Sequence, residues 1–98
     1  MIDLTPAQRR FLRAQAHHLQ PVVMIGDSGL SPAVLKEIGV ALKAHELIKV
    51  KVANDNREER ETWLENICTE HDAAPVQHVG KTLVIYKAAA KPKIKLPS

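Results

Sequence analysis

The organisation of this chain turns on one segment, Pro21-Val22-Val23-Met24-Ile25-Gly26-Asp27-Ser28-Gly29-Leu30-Ser31-Pro32. Its first five residues are apolar and rich in β-branched side chains, which predicts a short buried strand. Two glycines then frame a loop of four residues. Ser31-Pro32 follows as a helix start, because serine is a favoured N-cap and proline is favoured in the first turn. The segment therefore predicts a strand, a glycine loop and a helix in direct succession.

Further elements follow on both sides of this segment. Upstream, Thr5-Pro6-Ala7-Gln8 has the pattern of a capping box and predicts a helix running to about Leu19, before Pro21. Downstream, the second helix keeps an apolar stripe until a transition near Glu46. The remaining elements are a strand at 48–52, a third helix ending near His71, and strands at 75–79 and 82–86 joined by a hairpin at Gly80-Lys81. The third helix begins with Asp55 and Glu58, or with Asn56 and Glu59, as its capping box.

These elements predict an α/β fold in the order α-β-α-β-α-β-β. Alternating helices and strands imply a four-stranded mixed sheet with packed helices, right-handed crossovers and a terminal hairpin. With 98 residues, the chain is the size of a single compact domain. We expect that domain to cover residues 1–87, and residues 88–98 to form a basic, extended C-terminal tail.

Charge is distributed unevenly along the chain. The net charge is +3, but residues 1–53 contribute +3, residues 54–72 contribute −5, and residues 73–98 contribute +5 with no acidic side chain. The chain thus combines basic ends with an acidic third helix, which suits an anionic partner approached from one side. Aromatic residues make up only 3% of the chain, which disfavours a nucleic-acid surface built on rows of stacked rings.

Three patterns resemble catalytic or metal-binding motifs and are rejected. Gly26-Asp27-Ser28-Gly29 spells the nucleophile motif of trypsin-like serine proteases, but the chain is too short for their two barrels. Gly80-Lys81-Thr82 resembles the end of a P-loop, but that motif needs glycine at position 75, where the chain has Pro75. Cys68 and His71 are half of a zinc pattern without a second pair, and nothing marks Cys68 as a nucleophile. We therefore expect no enzyme activity, no metal, no cofactor and no small-molecule substrate.

The glycine loop has a second interpretation as a phosphate-binding element. Backbone N–H groups near a helix N-terminus attract phosphate oxygens, and glycines allow a ligand to approach the backbone closely. A G-x-x-G loop of this kind clamps the RNA backbone in KH domains. Basic residues accompany the loop: three arginines on one arc of the first helix, two lysines alternating along a strand, and lysines towards the C-terminus. The predicted RNA-binding residues are Gly26, Asp27, Ser28, Gly29, Arg9, Arg10, Arg13, Lys49, Lys51, Lys81 and Lys87.

Almost the whole chain resembles the YhbY family of small bacterial proteins, which are stand-alone versions of the CRM domain. The matching stretches occur in the family's order and spacing. They are His17-His18-Leu19-Gln20-Pro21-Val22-Val23, Gly26-Asp27-Ser28-Gly29-Leu30, His45-Glu46-Leu47-Ile48-Lys49-Val50-Lys51 and Val79-Gly80-Lys81-Thr82-Leu83-Val84-Ile85-Tyr86.

This resemblance implies a fold similar to the C-terminal domain of a bacterial translation initiation factor. It also implies RNA binding through the G-x-x-G loop and basic surface, and association with precursors of the large ribosomal subunit, their rRNA and ribosomal proteins. Asp27 departs from the neutral or basic loops of RNA clamps. It either points away and caps the backbone, or leaves the basic surface to do more of the binding.

A rival interpretation is a protein-interaction module of the translation machinery that uses the acidic third helix, with RNA binding incidental. In the RNA-binding interpretation, that helix faces away from RNA or faces a basic ribosomal protein. The single cysteine, the lack of a signal-peptide pattern and the short apolar stretches predict a cytoplasmic protein with no membrane segment.

Overall fold

The computed structural model describes residues 3–97, so the outer ends of the expected domain (1–87) and tail (88–98) lie outside the described residues. Three helices alternate with four strands in the order predicted from the sequence. Their bounds are α1 Pro6–Ala16, β1 Pro21–Ile25, α2 Pro32–His45, β2 Leu47–Val52, α3 Arg57–His71, β3 Ala74–Val79 and β4 Thr82–Tyr86.

The helix starts follow from their caps. Thr5 Oγ1 accepts the Gln8 N–H while the Gln8 side chain accepts the Thr5 N–H, which completes the predicted capping box of α1. Ser31 Oγ accepts the Val34 N–H at the start of α2. At α3 the N-cap is Asn56, whose side chain accepts the Glu59 N–H at 3.0 Å, so the Asn56 alternative is the one adopted.

Helix α1 is shorter than the sequence predicts. It ends at Ala16, and not near Leu19. The N–H groups of His17, His18 and Leu19 bond to the carbonyl three residues earlier, which is the tighter pattern found at helix ends. This final turn brings Leu19 against the core on the same side of the sheet as Leu12 and Ala16.

The four strands form one mixed sheet in the order β1-β2-β4-β3. β1 runs parallel to β2, while β4 is antiparallel to both β2 and β3. β1 is therefore an edge strand, and only alternate residues of it are buried: Val23 and Ile25 are covered, while Val22 and Met24 are 45% and 59% exposed. The strand predicted as buried is therefore buried on one face only, because the other face of this edge is left open.

The sheet has a core on each face. On one side, α2 and α3 cover Ile48, Val50 and Val52 of β2. On the other side, α1 packs over β2, β3 and β4, with Leu12 and Ala16 against Leu47. Since successive residues of a strand point to opposite faces, Lys49 and Lys51 share the α1 side with Leu47.

The C-terminal segment 88–97 contains neither helix nor strand, and it folds back onto the α1 side of the sheet. Ile94 and Leu96 pack against that second core. Buried Glu46, between α2 and β2, accepts hydrogen bonds from the backbone N–H groups of Lys93 and Ile94, each at 2.9 Å, and from Ala89 at 3.2 Å. The tail is thus held by a carboxylate more than forty residues away in sequence.

Candidate nucleic-acid interface

The glycine loop lies at one end of the sheet, together with two other turns. The Ala53 N–H donates to the Ile25 carbonyl at 2.9 Å, which joins the end of β2 to the start of the loop. The Val52 N–H donates to the Lys81 carbonyl at 2.8 Å, which joins the same end of β2 to the β3–β4 hairpin. We call this end of the sheet, where Gly26–Gly29, residues 53–56 and Gly80-Lys81 meet, the loop end.

The loop itself is a tight turn. The Gly29 N–H donates to the Gly26 carbonyl at 3.0 Å, so that amide is already used within the loop. Gly29 has a φ of +76°, a conformation that glycine adopts without strain. Its Cα faces the Trp63 indole, and a Cβ built at this position would lie 3.3 Å from Trp63 Cζ2.

The cleft beside the loop is acidic. Across from the loop residues it is lined by Asn54, Glu59 and Trp63, while Asp27 is exposed on the loop side. Its lining includes two carboxylates and no lysine or arginine. The first turns of the acidic helix α3 therefore face the loop. This orientation arises because Trp63, in the N-terminal half of α3, packs against Gly29.

Basic side chains gather on the α1 side of the sheet. Arg13 and Lys49 line one shallow cleft, together with His17, Gln77 and Thr82. Lys51 lies beyond them and is exposed. It pairs in register with Met24 of β1 on one side and with Thr82 of β4 on the other, and Thr82 pairs with Val79.

Together these residues form a surface that α1 leaves uncovered. Met24 and Val79, at its two edges, are 59% and 52% exposed. We call it the open sheet face; it consists of Arg13, His17, Met24, Lys49, Lys51, Gln77, Val79 and Thr82.

The three arginines of α1 do not form one exposed face. Arg10 is exposed, but Arg9 is half-buried and its Nε donates to the Pro75 carbonyl at 3.4 Å. Arg13 is also half-buried, against the open sheet face. The helix lies across the sheet with its basic flank next to β3, so two of the three arginines are half-buried against the domain itself.

Two of the lysines predicted to bind RNA lie outside the open sheet face. Lys81 lies at the loop end, where its ammonium pairs with the Asp55 carboxylate and lowers the pKa of Asp55. Lys87 lies at the opposite end of the sheet, where its N–H donates to the Glu46 carbonyl. The strand β2 has six residues and so five steps of about 3.4 Å each, which separate Lys87 from the loop by roughly 17 Å. Lys87 therefore does not join the loop.

Cys68 and His71 have structural contacts. Cys68 is fully buried, and its burial raises the pKa of the thiol to about 11, so thiolate chemistry is suppressed. His71 Nε2 lies 2.7 Å from the Leu35 carbonyl, which fixes the ring against α2. Within residues 3–97, no group of three or more His, Cys, Asp or Glu is arranged to hold a metal ion. No helix in that range is long and apolar enough to cross a bilayer.

The sequence did not identify several residues of these clefts. Trp63 is one of them, because its contact with the loop depends on how α3 packs at the loop end. Glu59 was expected only as part of a helix cap. No sequence pattern marks Gln77 as part of a site, since its position beside Arg13 and Lys49 depends on the pairing of β3 with β4.

Comparison with known proteins agrees with this architecture. Residues 4–87 match the CRS1/YhbY (CRM) domain. The chain is 48% identical to a Haemophilus influenzae protein named RNA-binding protein, over 99% of this chain and 98% of that one. It is 40% identical to a Bacillus subtilis protein named probable RNA-binding protein YqeI, over 96% and 99% of the two chains.

A comparison with a solved solution structure supports the same fold. It is that of a Staphylococcus aureus protein described as a candidate RNA-binding protein, and it superimposes with a TM-score of 0.85 at 33% identity. The match covers 97% of this chain and 100% of that one. The fold of the four-stranded sheet matches this solved structure, and the sequence over residues 4–87 matches the family model. The chain therefore belongs to the CRS1/YhbY (CRM) domain family.

Proposed function

We propose that this protein binds RNA through the open sheet face and the adjoining loop end, and that it does so without catalysing a reaction. The names of its relatives in Haemophilus influenzae and Bacillus subtilis support RNA as the class of partner. We further propose that the RNA is rRNA in precursors of the large ribosomal subunit, in the cytoplasm, where the protein assists assembly next to ribosomal proteins.

The observation that carries the proposal is the arrangement of Arg13, Lys49 and Lys51. These three cations lie on one face of the sheet, and the residues that line the Arg13–Lys49 cleft include no carboxylate. Each can neutralise one phosphate, and neighbouring phosphates of a nucleic-acid strand bind such a row with release of counterions. The exposed side chains of Met24 and Val79 offer apolar contact to sugars and base edges alongside.

The loop has a smaller part in this mechanism. The Gly29 amide is occupied within the turn, which leaves the amides of Asp27 and Ser28 to approach one phosphate. Asp27 and Glu59 line the same cleft and repel further phosphates. We therefore assign most of the affinity to the open sheet face, and we assign to the loop the positioning of a single phosphate near its tip.

A salt titration tests the phosphate contacts. With a single-stranded RNA of mixed sequence, three neutralised phosphates give a slope of log K against log salt of about −2. Lys51→Gln should weaken binding to all sequences alike and make the slope less steep by about 0.7. The matched control is Lys95→Gln, an exposed lysine on the tail. A flat salt response, or equal effects of the two variants, would refute the proposal.

A cellular experiment tests the identity of the RNA. Crosslinking in cells, followed by sequencing of the bound RNA, should recover large-subunit rRNA and its precursors, and Lys51→Gln should reduce that recovery. Recovery of ribosomal proteins without RNA would instead support a protein-interaction module that uses the acidic face of α3.

A further inference from the structure

A second basic cleft lies on the other side of the sheet from the open sheet face. It runs along α2 at the end of the sheet opposite to the loop, and we call it the α2 cleft. Three lysines rim it, an aliphatic floor lies between them, and an imidazole closes one side. Its residues are Lys36, Gly39, Val40, Leu42, Lys43, His71 and Lys87.

The spacing of these residues explains the cleft. Lys36, Val40 and Lys43 are separated by four and three positions, so they lie on one face of α2. Val40 is 62% exposed, the largest exposed fraction among the large apolar side chains that the structure describes. Lys87, just after β4, contributes the third ammonium group from another element. This face of α2 therefore presents an apolar contact surface between ammonium groups.

The imidazole of His71 is held in a fixed position. Its Nε2 lies 2.7 Å from the Leu35 carbonyl, and its ring lies directly over Gly39. A Cβ at position 39 would be only 2.8 Å from His71 Cε1, so only glycine allows the ring to approach the helix this closely. The result is an immobilised aromatic ring beside an apolar floor, within reach of three ammonium groups.

From these contacts we infer that the α2 cleft takes an unpaired nucleotide of RNA, as a contact separate from the open sheet face. Bases of single-stranded RNA stack on aromatic rings, including histidine, while lysines bind the flanking phosphates as point charges. A protein partner fits less well, because lysine is depleted in the cores of protein–protein interfaces. The inference rests on the proposed function, and it extends that function to two RNA contacts on one molecule.

The two contacts would be well separated. The α2 cleft is on the α2–α3 side and near Lys87, whereas the open sheet face is on the α1 side. The two lie on opposite faces of the sheet, so two oligonucleotides can occupy them at the same time. One protein molecule would then hold two RNA segments at a fixed distance, which is a means of bringing distant parts of a folded RNA together.

Native mass spectrometry with a single-stranded RNA of ten nucleotides of mixed sequence provides the test. The wild-type protein should form complexes of one protein with one and with two oligonucleotides. The double variant Lys36→Gln/Lys43→Gln should retain the first complex and lose the second. Thr62→Glu/Thr69→Glu is the matched control, because it changes the net charge equally on the exposed face of α3 and should retain both complexes.

Amide NMR shifts identify the second site directly. In the wild type, the amides of Gly39 and Val40 should move only as the second equivalent of RNA binds. A single RNA per protein in the wild type, or loss of the second complex in both double variants, would overturn the inference and leave the proposed function intact. Preference of the cleft for poly-glutamate over RNA would also overturn it. Absence of even the first complex would refute the proposed function itself.

Discussion

Gly29 lies against the indole of Trp63 with a φ of +76°, and this contact joins the loop after β1 to the acidic helix α3. A Cβ at Gly29 would lie 3.3 Å from Trp63 Cζ2, so the loop and the ring would have to move apart by a few tenths of an ångström. The acidic lining of the loop cleft is a consequence of the same packing, because Glu59 is one helical turn before Trp63.

Gly29→Ala should therefore destabilise the protein. The left-handed conformation costs a residue with a Cβ about 1–2 kcal/mol, and a loss of 1 kcal/mol lowers the Tm of a domain of this size by about 4–8 °C. Gly26→Ala is the matched control, since nothing lies within 4 Å of a Cβ at that position, and its Tm should stay close to that of the wild type. Thermal unfolding followed by circular dichroism checks both. Equal Tm values for the two variants would show that the Trp63 contact does not constrain the loop.

The C-terminal tail should contribute to stability through its apolar residues and not through its lysines. Ile94 is half-buried against the core on the α1 side, while its neighbour Lys95 is exposed. Ile94→Ala should cost about 1–2 kcal/mol of unfolding free energy, because part of an isoleucine side chain returns to water and leaves a gap. Lys95→Ala should stay within about 0.5 kcal/mol of the wild type. Denaturant unfolding measures both, and equal values would mean that the tail is not part of the folded core.

The sequence predicts what depends on local pattern and misses what depends on packing between distant elements. Alternation along β2 was enough to place Lys49 and Lys51 on the face opposite to Val50. Helix periodicity grouped Arg9 with Arg13 correctly, but it could not show that this flank of α1 lies next to β3. Which flank of α1 contacts β3 depends on how the helix lies on the sheet, and no local sequence pattern encodes this packing.

Glu46 illustrates the same limit. Its position between α2 and β2 was predicted from the end of the apolar stripe. Its role was not, because the N–H groups that it binds lie 43 to 48 residues further along the chain. The acidic loop cleft has the same origin, since the packing of α3 against Gly29 brings Glu59 to a loop about thirty residues away.

The buried carboxylate of Glu46 makes the attachment of the tail dependent on pH. Glu46 has a φ of 64° and a ψ of −49°, close to the γ-turn conformation that is strained for a residue with a side chain. Burial alone would raise the pKa of its carboxyl group. The backbone N–H groups of Lys93, Ile94 and Ala89 outweigh that effect, and the pKa of Glu46 falls below its ordinary value of 4.5. The folded state therefore favours the ionised carboxylate more than the unfolded state does.

Glu46→Gln should consequently lower the free energy of unfolding by about 1.5–3 kcal/mol at pH 7, because it removes the charge from these hydrogen bonds and sets an amide donor against a backbone donor. A carboxyl group whose pKa is lowered on folding stabilises fully above its unfolded pKa, and this stabilisation is lost as the pH falls through the lower folded value. The difference between wild type and variant should thus be constant from pH 7 to about pH 5 and shrink below it. Urea unfolding at pH 7, 5 and 3 measures this, and Glu65→Gln, on the exposed side of α3, should match the wild type at pH 7. A difference that persists unchanged at pH 3 would show that the ionised form of Glu46 does not hold the tail.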